Sequence, residues 1–155
     1  MEAKAKTIVA VDPGKCGGIA MAKPDGSFDL RPWTVEHEHL DFVHGLVPEE
    51  CIALIEDVPP FVSAATSNAS SFKLGYNFGF IVASFRAAKI ETHLVKPKDW
   101  QKGFVGLKSN MGYTERKRML KDNAIRLYPN LKITNAVADA VLIMDWGRRQ
   151  ILWRA

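Results

Sequence analysis

The chain has 155 residues, 47% of them hydrophobic and 25% charged, with 11 Gly and 8 Pro; this is the composition of one globular domain over residues 1–155, not of a collagen-like, disordered or disulfide-scaffold chain. Without a run of about 18 apolar residues, and with Glu2 in the N-terminal segment, neither a membrane span nor a signal peptide is expected, and Cys16 and Cys51, at no metal-ligand spacing, suit a reducing intracellular compartment as free thiols. The net charge of +4 is segregated, with five Lys/Arg against eleven Asp/Glu in residues 1–60 and eight against two in residues 96–121, which points to a basic surface that meets phosphates and an acidic cluster that holds cations, although a solvated lysine-rich helix would carry the same excess.

In chain order, TIVAV (7–11) is a β-branched apolar run that ends in the turn Asp12-Pro13-Gly14, so a strand is expected there. CGGIAMA and the segment near FDLRPW, separated by the turn signal Pro24-Asp25-Gly26-Ser27, continue as two further strands of an antiparallel meander. Residues 36–47 read as a helix, CIALIE (51–56) as a buried strand, 70–88 as a helix and IETHLV (90–95) as a strand. Thr114 is expected to cap a helix in which Leu120, Ala124, Leu127 and Tyr128 share one face, with Arg116, Lys117 and Lys121 opposite and Pro129 beyond its end. A last helix over about 135–152 is apolar nearly all round in AVADAVLIM and should pack on the sheet. A meander followed by alternating helices and strands predicts a mixed α/β fold.

Acidic residues interrupt that pattern in three places: Asp12 at the end of the first strand, Glu56 at the end of CIALIE, and Asp139 inside the apolar final helix. An ionised carboxylate near a core is costly without a compensating cation or donor, so acids on separate elements suggest a shared cation at the strand ends, where ligands of open sheets gather. Each also has a plain structural reading, as a turn cap, a solvated strand end and a residue facing water.

In this order, IVAVDPGKCGGIA, ALIEDVPP, SSFKLGYNFGF, VKPKDWQK and NAVADAVLIMDWGRR resemble the motifs of RuvC-type Holliday junction resolvases, in the compact form encoded by phages, from residue 7 to residue 149. The resemblance implies a ribonuclease H-like fold, with a five-stranded mixed sheet between helices. It further implies a homodimer that cuts four-way DNA junctions, in a bacterial cytoplasm if the chain is phage-encoded. Two Mg²⁺ or Mn²⁺ ions about 4 Å apart can activate water, stabilise the transition state and help the 3′ oxygen leave. Carried over by position, Asp12 would bridge both ions, Glu56 would hold one and Asp139 the other. Lys102, Lys108 and Lys117 lie in the segment that resembles the family's junction-binding region. Lys117 is the first choice for a supporting lysine because a helix would fix its position, and Lys98, Arg116 and Arg118 complete the expected DNA-binding set. The family has a further acid three or four residues before the last one, where this chain has Ala136 and Asn135. Asn135 either takes the place of that metal ligand, as a natural divergence or a deliberate replacement of Asp, or caps the final helix; as a ligand, its amide oxygen is poorer than a carboxylate and cleavage would be weak.

Trp100 and Phe104, interleaved with Lys98 and Lys102, suit either base stacking or core anchoring. Phe61, Phe72, Tyr76, Phe78 and Phe80 are candidates for a dimer interface. His37, Glu38 and His39 read as solvated surface, since adjacent residues project differently and no third ligand follows. Arg148, Arg149 and Arg154 are junction contacts or a solvated tail. Phosphate loops of the GxGxxG and GxxxxGK[ST] types are absent, so no nucleotide cofactor is expected. Besides a junction endonuclease, two other classes stand: a junction-binding protein of the same fold with weak or no nuclease activity, suggested by Asn135, and an actin-like or sugar-kinase-type domain, for which the chain is too short to form two lobes.

Overall fold

The computed structural model describes residues 5–60 and 66–152, with side chains through residue 150. Its elements are β1 (Thr7–Val11), β2 (Gly18–Ala22), β3 (Phe28–Pro32), α1 (Glu36–His44), β4 (Cys51–Glu56), α2 (Asn68–Ala87), β5 (Glu91–Val95), α3 (Pro97–Trp100), α4 (Tyr113–Leu127) and α5 (Ala138–Leu152). Among the described residues five strands form one mixed sheet in the order β3-β2-β1-β4-β5. The first three strands are the expected antiparallel meander, and β4 and β5 add to β1 in parallel.

Alternation along the strands divides the core into two layers. Ile8, Ala10, Ala20, Ala22 and Leu54 face α4 and α5, while Val9, Val11, Ile19, Met21, Ala53 and Ile55 face the layer that holds Val43 of α1 and Ile81 and Phe85 of α2. A sheet covered on both faces explains why TIVAV and CIALIE read as continuous apolar runs. α5 lies so close to the sheet that a Cβ at Gly147 would overlap the Leu54 side chain. Among the described residues no helix is long and apolar enough to cross a membrane.

Several expectations are corrected. α4 begins at Tyr113, one residue before Thr114, with Gly112 at the cap and no side-chain capping bond. α5 begins at Ala138, so Asn135 stands in the preceding turn; it is exposed, and among the described residues its side chain makes no capping bond. The chain is already winding there, because the Thr134 carbonyl accepts the N–H of Ala138 at 3.1 Å.

His39 departs furthest from the expected solvated surface: it is 1% exposed. The period of α1 puts it on the face of Val43, and that face docks on the sheet. Its Nε2 lies 2.8 Å from Ser84 Oγ, and its ring packs among Trp33, Phe42, Phe80 and Phe85. Ser84 Oγ spends its one hydrogen on the Ile81 carbonyl at 2.7 Å, so it accepts from His39 and fixes the Nε2–H tautomer. Nδ1 is buried and, among the described residues, has no partner.

Candidate active site

β1 and β4 are parallel neighbours with Val11 opposite Ile55, so the next residues, Asp12 and Glu56, leave the carboxyl edge of the sheet side by side. Val11 and Ile55 point into the α1 and α2 layer; the period of two turns Asp12 and Glu56 toward α5. There Asp139, the second residue of α5, completes the group. Asp12, Glu56, Asp139 and Asn135 all line one cleft, together with Lys117 and Arg118 of α4.

The loop after β1 is shaped around Asp12. Its carboxylate accepts the Gly14 N–H at 2.9 Å, while its own N–H donates to the Gly18 carbonyl at 3.0 Å. A Cβ at Gly17 would come within 2.8 Å of the Asp12 carboxyl carbon and overlap its carbonyl oxygen, so the DPGKCGG turn closes only with glycine there. Gly18 similarly has no room for a side chain against the Ala136 and Arg31 carbonyls. This contact seats the entrance of α5 beside β2.

Charge in the cluster is poorly compensated. Burial, and then the charges of Asp12 and Asp139, push the Glu56 carboxyl up to about 8, against the pull of Lys117 and the Trp100 N–H. Asp12 is also raised, first by burial and then by Asp139, with Lys117 and the Gly14 N–H acting against the rise. The Lys117 ammonium donates to Asp139 Oδ2; burial alone would lower its pKa, but the charges of Asp139 and Asp12 hold it above the usual lysine range. Trp100, 0% exposed, donates its indole N–H to Glu56 Oε2 at 3.0 Å. Among the described residues the buried Asp139 Oδ1 is unpaired.

These residues fit a hard divalent cation. The donors from β1, β4 and α5 are carboxylate oxygens, they repel one another, and among the described residues one buried oxygen lacks a partner. Among the described residues no group of three or more His, Cys, Asp or Glu side chains is already closed at metal-ligand spacing. Lys117 supplies positive charge beside Asp139.

The other expected residues divide. Lys102 and Lys108 are exposed in the segment between α3 and α4 and lie apart from the carboxylates; Lys98 is exposed on α3. Arg116 braces that segment, donating to Gln101 Oε1 at 2.8 Å and to the Lys108 carbonyl at 3.0 Å. Asn123, buried in α4, clamps it from below by accepting from the Val105 N–H at 3.1 Å and donating to the Val105 carbonyl at 2.8 Å. Trp100 is a core anchor, with Phe104 packed beside the same layer. Arg148 is a structural residue: it donates to the Tyr128 hydroxyl at 3.0 Å and lies over the Phe28 ring. Arg149 pairs with Asp145. Phe78 and Phe80 are partly buried against the core layer of α1 and α2, Phe72 and Tyr76 are exposed, and Phe61 and Arg154 lie outside the described residues.

The sequence reading gave Tyr113 no role and took Cys16 only as a free thiol, yet both line the cleft. Tyr113 is 78% exposed at the start of α4, with Lys117 Nζ 5.9 Å from its ring, and Cys16 is exposed in the turn after β1. Only the turn signals at either end hinted at their position, Gly112 before Tyr113 and Gly14 before Cys16.

No family model matches the sequence, and no curated protein matches it. Among solved structures, the fold is similar to Thermus thermophilus RuvC in complex with a Holliday junction substrate, at 13% identity over 94% of this chain and 96% of that one, with a TM-score of 0.56. A Thermus thermophilus RuvC structure is similar at 16% identity over 93% and 96%, with a TM-score of 0.50. At such identities the likeness is one of fold, and the mixed five-stranded sheet flanked by helices has the RuvC, ribonuclease H-like architecture.

Proposed function

We propose that this chain is a structure-selective endonuclease that resolves four-way DNA junctions by metal-dependent phosphodiester hydrolysis. The observation that carries this reading is the group of crowded carboxylates, Asp12 and Asp139 buried and Glu56 half-buried, on the floor of a cleft whose α4 wall is basic. Purely structural acids would be fully paired or solvated; here Asp139 raises Asp12, Asp12 and Asp139 raise Glu56, and among the described residues Asp139 Oδ1 has no partner.

Asp12, Glu56, Asp139 and the amide oxygen of Asn135 would hold two Mg²⁺ or Mn²⁺ ions, which when bound supply activation of water and stabilisation of charge on the phosphate. Hydrolysis forms a bond from a water oxygen to phosphorus and breaks the bond to the 3′ oxygen, which takes up a proton while the attacking water gives one up. Asp12 is pre-set by the Gly14 N–H and Glu56 by the Trp100 N–H, so both carboxylates are oriented before substrate arrives. Lys117, fixed by Asp139, presents positive charge to the phosphate that enters the cleft. Arg118 extends that charge along α4, and Lys98, Lys102 and Lys108, on the segment that Arg116 and Asn123 brace, would meet phosphates farther out.

Cutting a junction symmetrically needs two copies of the site, and Phe72 and Tyr76, 74% and 53% exposed on α2, give a second copy of this chain an apolar surface to cover. A second reading, a junction-binding protein with weak cleavage, is favoured by Asn135, which offers a neutral oxygen in the cleft. The test is incubation of a labelled four-way junction, and a linear duplex of the same length, with Mg²⁺ or Mn²⁺. Cleavage confined to the junction supports the nuclease reading, while tight junction binding without cleavage supports the second. Affinity should fall by orders of magnitude from low to moderate salt as counterions are displaced by the basic residues of 96–121. Equal affinity for junction and duplex would contradict both readings.

A further inference from the structure

Pro97 opens the short helix α3 two residues after β5 ends, and this turn carries Trp100 back beneath the carboxyl edge of the sheet. There the Trp100 indole is fully buried in the core layer that also holds Val95, Leu120, Ala124 and Ala140. Its one polar atom, Nε1–H, points at Glu56 Oε2, 3.0 Å away. An indole N–H donates only, does not titrate and carries no charge, so it can orient a carboxylate without neutralising it. Lys117 acts differently on Asp139, where its ammonium both orients and neutralises.

Glu56 needs such a restraint. Its side chain has more rotatable bonds than that of Asp12 and ends in a half-buried position, and the charges of Asp12 and Asp139 press it away from the cluster. Among the described residues Oε1 has no hydrogen-bond partner, so one oxygen is held and the other is free. We infer that Trp100 is a positioning residue, whose buried indole N–H holds Glu56 Oε2 so that Oε1 faces the cleft as a cation ligand. This inference rests on the nuclease reading for the cation and on the packing of α3 for the restraint.

The test replaces Trp100 with 3-benzothienylalanine, which keeps the shape of the ring and exchanges N–H for sulfur, alongside Trp100→Phe. In the metal-free ¹⁵N-labelled parent the Trp100 indole N–H resonance should lie downfield and move when Glu56→Gln is introduced. Calorimetric titration with Mn²⁺ should show the benzothienyl protein binding about 10-fold more weakly, the size of effect that partners of metal ligands commonly have, while its melting temperature stays close to the parent's. If Trp100→Phe fails to fold, the isosteric analogue still reads the lost donor. An indole resonance indifferent to Glu56→Gln, or equal Mn²⁺ affinity in parent and analogue, overturns the role of Trp100. A parent that takes up no Mn²⁺ overturns the nuclease reading instead, and the resonance still reports whether the Trp100–Glu56 bond exists.

Discussion

On the α5 side of the sheet, Asp12, Glu56 and Asp139 crowd negative charge onto the floor of a cleft, whereas on the other side His39 is closed inside Trp33, Phe42, Phe80 and Phe85. Both places bury polar groups, and among the described residues both leave one atom unpaired, Asp139 Oδ1 and His39 Nδ1. They differ in sign and access. His39 lowers its cost by staying neutral, with one hydrogen bond to Ser84, and nothing outside can reach it. The carboxylates cannot all stay neutral at once beside Lys117, and they open on a cleft that Lys117 and Arg118 also line. A buried polar group alone is therefore a poor mark of function; uncompensated charge with an approach path is a better one.

The comparison predicts opposite responses to substitution. Asp12→Asn should reduce junction cleavage on the order of 10³-fold or more, keep or tighten junction binding, and raise the melting temperature of the cation-free protein, because it removes a repelled buried charge while its amide oxygen still accepts the Gly14 N–H. Glu56→Gln and Asp139→Asn should also lose cleavage. Parental cleavage by Asp12→Asn, measured on a labelled junction with Mn²⁺, would remove the shared metal site.

Changes at His39 should affect stability and leave the carboxylate cleft alone. His39→Ala should cost about 2–5 kcal/mol as a cavity in the aromatic layer, and Ser84→Ala about 1–3 kcal/mol through the buried N–H it leaves unpaired. Urea unfolding measures both. If either variant proved as stable as the parent, the packed His39–Ser84 pair could not be holding α1 to α2.

Acid should separate the two sites. Burial lowers the His39 pKa to about 4; the unfolded chain binds a proton near pH 6.5 that the folded chain refuses. Stability is thus lost from pH 6.5 down to about 4, by up to about 3 kcal/mol, and His39 adds no dependence above that window. Glu56 runs the other way in the cation-free protein. With its pKa raised from 4.5 to about 8, the folded chain binds a proton first, and acidification from pH 8 to 4.5 is stabilising. Unfolding free energies of the parent and His39→Phe at pH 7 and pH 4.5 isolate the histidine. A pH-independent difference between the two proteins would contradict its burial as a neutral ring.

The smallest effect is expected at Asn135. Asn135→Asp adds a carboxylate to the cleft and should raise cleavage severalfold while lowering the Mn²⁺ midpoint. Equal rates and equal midpoints, read by Mn²⁺ titration of junction cleavage, would take Asn135 out of the site.

Local pattern alone was enough for the strands, the meander and the acidic interruptions, because continuous β-branched runs such as TIVAV and CIALIE bury both faces wherever they lie, and Asp12, Glu56 and Asp139 each break a stretch that burial makes apolar. Lys117 was also within reach, since a helix fixes the face on which it stands. The rest was decided in three dimensions. That Asp12 and Glu56 meet depends on the parallel register of β1 with β4, and a shift of one residue would turn one of them to the opposite layer. His39 sits in a run of polar residues, and its burial followed from the face on which α1 docks, a choice made by Ser84 and the rings around it. Trp100 and Glu56 are far apart in the chain, and their hydrogen bond exists because the Pro97 turn folds α3 beneath the strand ends. The expected start of α5 at residue 135 lies three residues before the observed Ala138; the chain between is a turn whose Ala136 carbonyl packs against Gly18, and no periodicity encodes a contact between residues so distant along the chain.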